Sequence, residues 1–213
     1  MLLNRKFVSK SNFVLRKVLN IETSLDILKN FIESILNIKI KDIKLNPYLE
    51  KKAKYLPQED NFGIADVRIK TSENEEMNIG IQFIDGIYVH TKMLIYYAQI
   101  HLNQLEYDEK RELARTITIN LLDFIYFPSS KYEQIVKLNK NNRFVKNEEL
   151  ELVVIELPKF NEKNILECNT KEEWITYLKG NNNKLIEKIK NQNKYIKNLD
   201  YLLEKYWKEE KME

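Results

Sequence analysis

The chain has 213 residues, 43% of them hydrophobic and 31% charged, which is too apolar for a disordered chain and too charged for a membrane protein. Its 35 basic and 32 acidic side chains leave a formal net charge of +3, so composition neither demands nor excludes a nucleic-acid partner, and a polyanion would have to be met by a local patch. One cysteine, Cys168, excludes an internal disulfide framework and a multi-cysteine zinc site in the monomer, and two histidines with no HExxH argue against transition-metal chemistry. The length suits one domain, or one with an appendage. The start, MLLNRKFVSKSNFVLRKVL, lacks the apolar core and small residues of a secretory signal, and no stretch reaches membrane-spanning length. The expectation is a cytoplasmic protein with no membrane partner.

Four glycines and four prolines punctuate the chain sparsely, so long elements with short breaks follow. In SLDILKNFIESILNIKI, with Thr23 or Ser24 as N-cap, Leu25, Ile27, Leu28, Phe31, Ile32, Ile35 and Leu36 fall on one face of a core-packed helix. Residues 63 to 70 and 77 to 84 are rich in Ile, Val and Phe and flank TSENEE, which predicts a β-hairpin. Val89 to about Leu105 is apolar every three or four residues and predicts a second helix. ARTITINLLDFIYF (114 to 127) and ELELVVIELPKF (149 to 160) read as buried strands, the second ended by Pro158. The order argues an α/β domain with helices covering a central mixed sheet. From Lys171 onward the spacing predicts a short helix, a break at Gly180 and NNN, and one long amphipathic helix whose apolar positions are Leu185, Ile189, Ile196, Leu199, Leu203 and Tyr206. Its plain reading is a helix docked on the domain; its sharper reading is a seam for a homodimer or a partner.

The hairpin carries the chemistry. Nucleases that use a hard divalent cation need oxygen ligands on adjacent elements, so that the metal polarises the phosphate and lowers the pKa of an attacking water. An acid on one strand, with an acid and a lysine or glutamine two residues apart on the next, places three polar groups on one side of the sheet. Asp66 and Gln82 fit that pattern. Gly80, on the same face as Gln82, stands where the second acid belongs.

The blocks NPYLEKKAKYL, GIADVRIKTSENEEMNIGIQF, KMLIYYAQIHLNQL, TITINLLDF, IELPKF and EEWITYL resemble, in order and spacing, those of the PD-(D/E)XK nuclease family transposases, also called recombination-promoting nucleases (Rpn). The resemblance runs from about residue 20 to residue 178. It implies a restriction-endonuclease-like fold, metal-dependent DNA cleavage and a history in mobile elements, with residues 1–178 as the nuclease-like domain and 179–213 as a helical extension. It implies that Asp66 is the metal-binding aspartate, that Gln82 is the glutamine that replaces lysine, and that Gly80 occupies the position of the glutamate in the family's E-x-Q. Lys92 and Tyr96 match positions that usually show arginine and tyrosine on the following helix, where they would meet nucleic acid. Glu33 matches a polar position that the first helix turns toward the site.

A glycine offers neither ligand nor charge, and losing one essential ligand commonly costs on the order of a thousandfold in rate. The expectation is therefore a pseudonuclease that binds magnesium weakly or not at all. Glu33 is the candidate substitute carboxylate, against a bland reading as a solvated helix residue. Glu75 and Glu76 lie in the turn, and Asp85 has the wrong strand parity. Tyr88, Tyr96, Tyr97 and Tyr107 with Lys92 and Lys110 could stack on and neutralise a nucleic-acid strand, although core packing is the commoner use of tyrosine. KLNKNNRFVK (137 to 146) reads as a polar loop, with phosphate contact as the sharper alternative. His90 and His101 share roughly one helix face without an acidic partner, and Cys168 reads as structural. Three functional classes stay open: an active DNA endonuclease using Asp66, Gln82 and Glu33; a dead nuclease fold kept for binding DNA; and a phage or mobile-element inhibitor of a host defence nuclease, an anti-CRISPR-like role.

Overall fold

In the computed structural model, residues 15–46, 63–84, 86, 88–104, 113–137, 150–162 and 165–210 are described. Helix α1 (Leu25–Leu36) forms where the three-and-four spacing of Ile27, Leu28, Phe31, Ile32 and Ile35 gives one continuous apolar face, and all five are buried. Its N-cap is Ser24, but the hydroxyl turns back to donate to Val18 O at 2.6 Å instead of capping the helix. Asn37, in the left-handed region at φ 53°, ends the helix. The expected helix is thus too long at its end, because Ile40–Leu45 is a strand, β1.

The hairpin forms as expected, from β2 (Ala65–Thr71) and β3 (Glu76–Ile84), turning at Asn74 with φ 64°. Glu76 belongs to β3 and pairs with Arg68 at 2.6 Å, so only Glu75 keeps its expected place in the turn. Helix α2 (Val89–Asn103) leads to β4 (Arg115–Leu122), which stops short of its expected end. The chain leaves the strand there because the buried Glu156 carboxylate accepts hydrogen bonds from Tyr126 N at 2.5 Å and Phe127 N at 3.0 Å, holding that stretch outside the ladder. The remaining strands are β5 (Glu133–Lys137), which the sequence pattern did not predict, and β6 (Leu150–Glu156), followed by a 3-10 turn containing Pro158.

The strands make one mixed sheet in the order β1-β2-β3-β4-β6-β5. β3, β4 and β6 run parallel, while β1, β2 and β5 pair antiparallel. Helices cover both faces. On one, α1 packs with α3 (Thr170–Lys179) and with α5 (Lys194–Glu210) over Val67, Ile79, Ile81, Ile117 and Ile119. On the other, α2 lies across β3, β4 and β6, with Val89, Met93 and Tyr97 against Ile84, Leu122, Leu152 and Val154.

The tail departs from its reading in one respect: the expected long helix is two, α4 (Asn183–Gln192) and α5. Asn193 breaks it. Its Oδ1 accepts from Tyr195 N and Ile196 N and so caps α5, while its Nδ2 donates to Glu173 Oε2 at 2.9 Å. Leu185, Ile189, Ile196, Leu199 and Leu203 are buried in the main core, and Tyr206 packs against it. The apolar stripe of the tail is turned onto the chain's own domain.

Candidate active site

Strand alternation puts Asp66, Asn78, Gly80 and Gln82 on the face covered by α2, since Asp66 pairs directly with Gly80 and Val67 with Ile79. Asp66 is fully buried. Its Oδ1 accepts from Asn46 Nδ2 at 2.9 Å, and Asn46 N in turn donates to Asp66 O at 3.0 Å, so the residue after β1 closes one side of the carboxyl group. Its Oδ2 is buried with no hydrogen-bond partner, as is Asn78 Nδ2 beside it on β3. Burial pushes the Asp66 carboxyl up to about 7, against the smaller opposing pull of the Asn46 hydrogen bond.

Above Asp66 the site is closed by α2. A Cβ added at Gly80 would collide with Ile100 Cδ1 and come within 2.9–3.0 Å of the Tyr96 ring. Gly63, at φ 89°, forms the second wall: a Cβ there would lie 2.5–2.7 Å from the same tyrosine. Two glycines therefore make a slot for one aromatic ring. Within it the Tyr96 hydroxyl donates toward Ala65 O at 3.0 Å and Ile81 O at 3.2 Å, bridging β2 and the far end of β3. Burial, and then the neighbouring Asp66 charge, hold this phenol well above its ordinary pKa, so it keeps its proton.

Gln82 points along the sheet and away from that slot. Its Nε2 donates to Asn120 Oδ1 at 2.5 Å, and Asn120 Nδ2 donates to Thr118 O, Thr118 Oγ1 and Val153 O. These bonds tie three parallel strands together beneath α2. Farther along the same interface, Gln104 exchanges hydrogen bonds with Ala114 N and O, and His101 Nδ1 contacts Thr116 Oγ1 at 3.0 Å.

The other predicted residues are not gathered at Asp66. Glu33 lies on α1, across the sheet, where its Oε1 accepts from Ile40 N at 2.8 Å and fixes the turn into β1. Lys92 is half-buried on the first turn of α2, and Tyr96 is buried in its slot, with no ring face presented outward. Tyr97 is buried and stacks on His101, while His90 is exposed. Asp85, Tyr107, Lys110 and most of the 137–146 cluster lie outside the described residues. Asn46, Gly63, Asn78, Ile100 and Asn120 complete the site and were not singled out by the sequence. Gly63 had a signal, since the chain has so few glycines; a lone asparagine or isoleucine had none.

As a test for a divalent cation, this donor set falls short. Magnesium is held by oxygen ligands that usually include one or two carboxylates plus water. Asp66 supplies one carboxyl, sealed from water, and the space beside Gly80, where the sequence expectation puts a second ligand, is taken by Ile100 and Tyr96. Among the described residues no three His, Cys, Asp or Glu side chains converge as metal ligands.

The family model for the PD-(D/E)XK nuclease family transposases matches residues 9–213, nearly the whole chain, and the protein belongs to that family. The mixed six-stranded sheet flanked by helices is the restriction-endonuclease-like arrangement that membership implies. No curated protein and no solved structure matches the chain.

Proposed function

We propose that this nuclease-fold protein of mobile-element descent has given up phosphodiester cleavage and acts by binding DNA. The loss of cleavage rests on one observation, the filling of the Gly80 position by Ile100 and Tyr96, and the binding of DNA rests on family membership alone. A bound divalent cation would polarise the scissile phosphate and activate a water. Asp66 is the residue that would hold it, yet this carboxyl is dry, engaged by Asn46 and half protonated near neutrality. Magnesium binding is accordingly weak or absent.

The test is nicking of supercoiled plasmid with magnesium or manganese by the wild type, Asp66→Ala and the double variant Gly80→Glu/Ile100→Ala. Wild type and Asp66→Ala are expected to be equally inactive; nicking that disappears in Asp66→Ala overturns the reading. The double variant supplies a carboxylate together with room for it, and nicking by it alone would place the defect at position 80. Binding is measured separately, by anisotropy of labelled duplex DNA across a salt series. Affinity should fall linearly in log-log form as salt rises. Absence of binding at low salt turns the reading to the protein-binding class, an inhibitor of a nucleic-acid-processing enzyme.

A further inference from the structure

Helix α2 is apolar on two opposite faces. One face, built on Val89, Met93, Tyr96, Tyr97 and Ile100, is buried on the sheet. Directly opposite run Thr91, Ile95, Ala98 and Leu102, spaced four, three and four residues apart, and all four are exposed. Ile95 is 38% and Leu102 55% exposed, with Tyr88 (72%) beside the stripe at the head of the helix and Leu94 (50%) on its flank. A surface helix ordinarily turns charged residues outward. This stripe holds none: the nearest ionisable side chains, His90, Lys92 and His101, lie to either side, and no acid stands anywhere on the helix.

Those facts select the occupant. A nucleic acid would need cations on this face, and a partner chosen by charge would need a sign to read. A second copy of the same uncharged stripe meets no like-charge repulsion. The order of side chains is also self-complementary. In an antiparallel pair with its two-fold axis between positions 96 and 97, Ile95 faces the partner's Ala98 and Thr91 faces the partner's Leu102, so that each large side chain meets a small one. Closed two-fold pairing needs this reciprocity.

We infer that the protein forms a homodimer through the outer face of α2, with the two helices antiparallel and Ile95 seated against the partner's Ala98. The stripe of Leu185, Ile189, Ile196, Leu199 and Leu203 on the C-terminal helices is already buried in its own domain, so the seam is assigned to α2. Tyr88, Leu94, Ile95 and Leu102 together expose roughly 400 Å², about half of what a standard-sized interface buries on each partner. A patch of this size fits a reversible rather than an obligate dimer.

Sedimentation velocity of the full chain across low to high micromolar concentrations tests this. A concentration-dependent dimer is expected, weakened at least tenfold by Ile95→Glu, a substitution at an exposed position whose fold is checked by circular dichroism. Register is tested in a Cys168→Ser background by mixing chains carrying Ile95→Cys with chains carrying Ala98→Cys. Oxidation should cross-link the mixture faster than either chain alone. A monomer at all concentrations, a dimer indifferent to Ile95→Glu, or cross-linking confined to like pairs overturns the inference. So does a stripe that binds DNA and loses it on Ile95→Glu.

Discussion

A carboxyl sealed from water keeps its proton into the neutral range, and Asp66 is such a group. Its folded pKa, about 7, lies above the 3.8 of a solvated aspartate, so between those limits the folded state binds more protons than the unfolded one. Stability from this residue is complete below pH 4 and lost as pH rises through 7. The loss amounts to a few kcal/mol at most. Asp66→Asn keeps the shape and the acceptor for Asn46 but cannot titrate; its unfolding free energy, measured by urea denaturation, should be nearly flat from pH 5 to 8 while the wild type declines. Parallel curves would mean that Asp66 is hydrated. Position 80 makes a second case, because its glycine is a packing requirement. Gly80→Ala should destabilise by about 1–3 kcal/mol through collision with Ile100 and Tyr96. In a double-mutant cycle with Ile100→Ala, the coupling should exceed about 1 kcal/mol in the direction of relief. Strict additivity would sink the claim that Ile100 occupies that space.

Among the elements, α2 does two jobs, sealing the polar face of β3 and β4 and leaving an uncharged outer stripe. Toward β4 the polar groups it covers are paired, Gln82 with Asn120 and Gln104 with Ala114 and Thr116, whereas toward β2 Asp66 Oδ2 and Asn78 Nδ2 are buried without a partner. In the tail, a single asparagine separates two helices that periodicity alone would join. Asn193→Ala removes a cap and the bond to Glu173, and should lower stability by about 1–2 kcal/mol. An unchanged denaturation midpoint would show that the break between α4 and α5 is set by packing instead.

On the scale of the molecule, α4 and α5 bury Leu185, Ile186, Ile189, Ile196, Leu199 and Leu203 in the same core as Phe31 and Trp174. At about 1.5–3 kcal/mol for each buried side chain, their removal matches or exceeds the roughly 5–15 kcal/mol that holds a domain folded. A chain ending at Gly180 should therefore show no cooperative thermal transition by circular dichroism. A sharp transition in that truncated chain would make residues 179–213 a separable extension. No helix among the described residues is long and apolar enough to cross a membrane.

Much of this was legible in the sequence because it depends on local periodicity. The core face of α1 and the position of α2 follow from spacings of three and four, and the hairpin and the strands β4 and β6 from apolar, β-branched runs, whereas the parallel direction of β4 and β6 and the pairing of Asp66 with Gly80 came only with the structure. β1 and β5 escaped because IKDIKL and EQIVK are short, charged edge strands whose pattern means little until a neighbour supplies hydrogen bonds. What only the tertiary structure decided is where side chains end up across elements far apart in the chain. Glu33 matched a site position by sequence, yet the sheet separates it from Asp66. Tyr96 carried the features of a stacking residue, yet two glycines from β3 and the approach to β2 enclose it. The sequence by itself determined that position 80 has no side chain to offer; the packing of α2 decided that the space beside it is filled, because a void beside a glycine is closed by whichever side chain the opposite helix delivers.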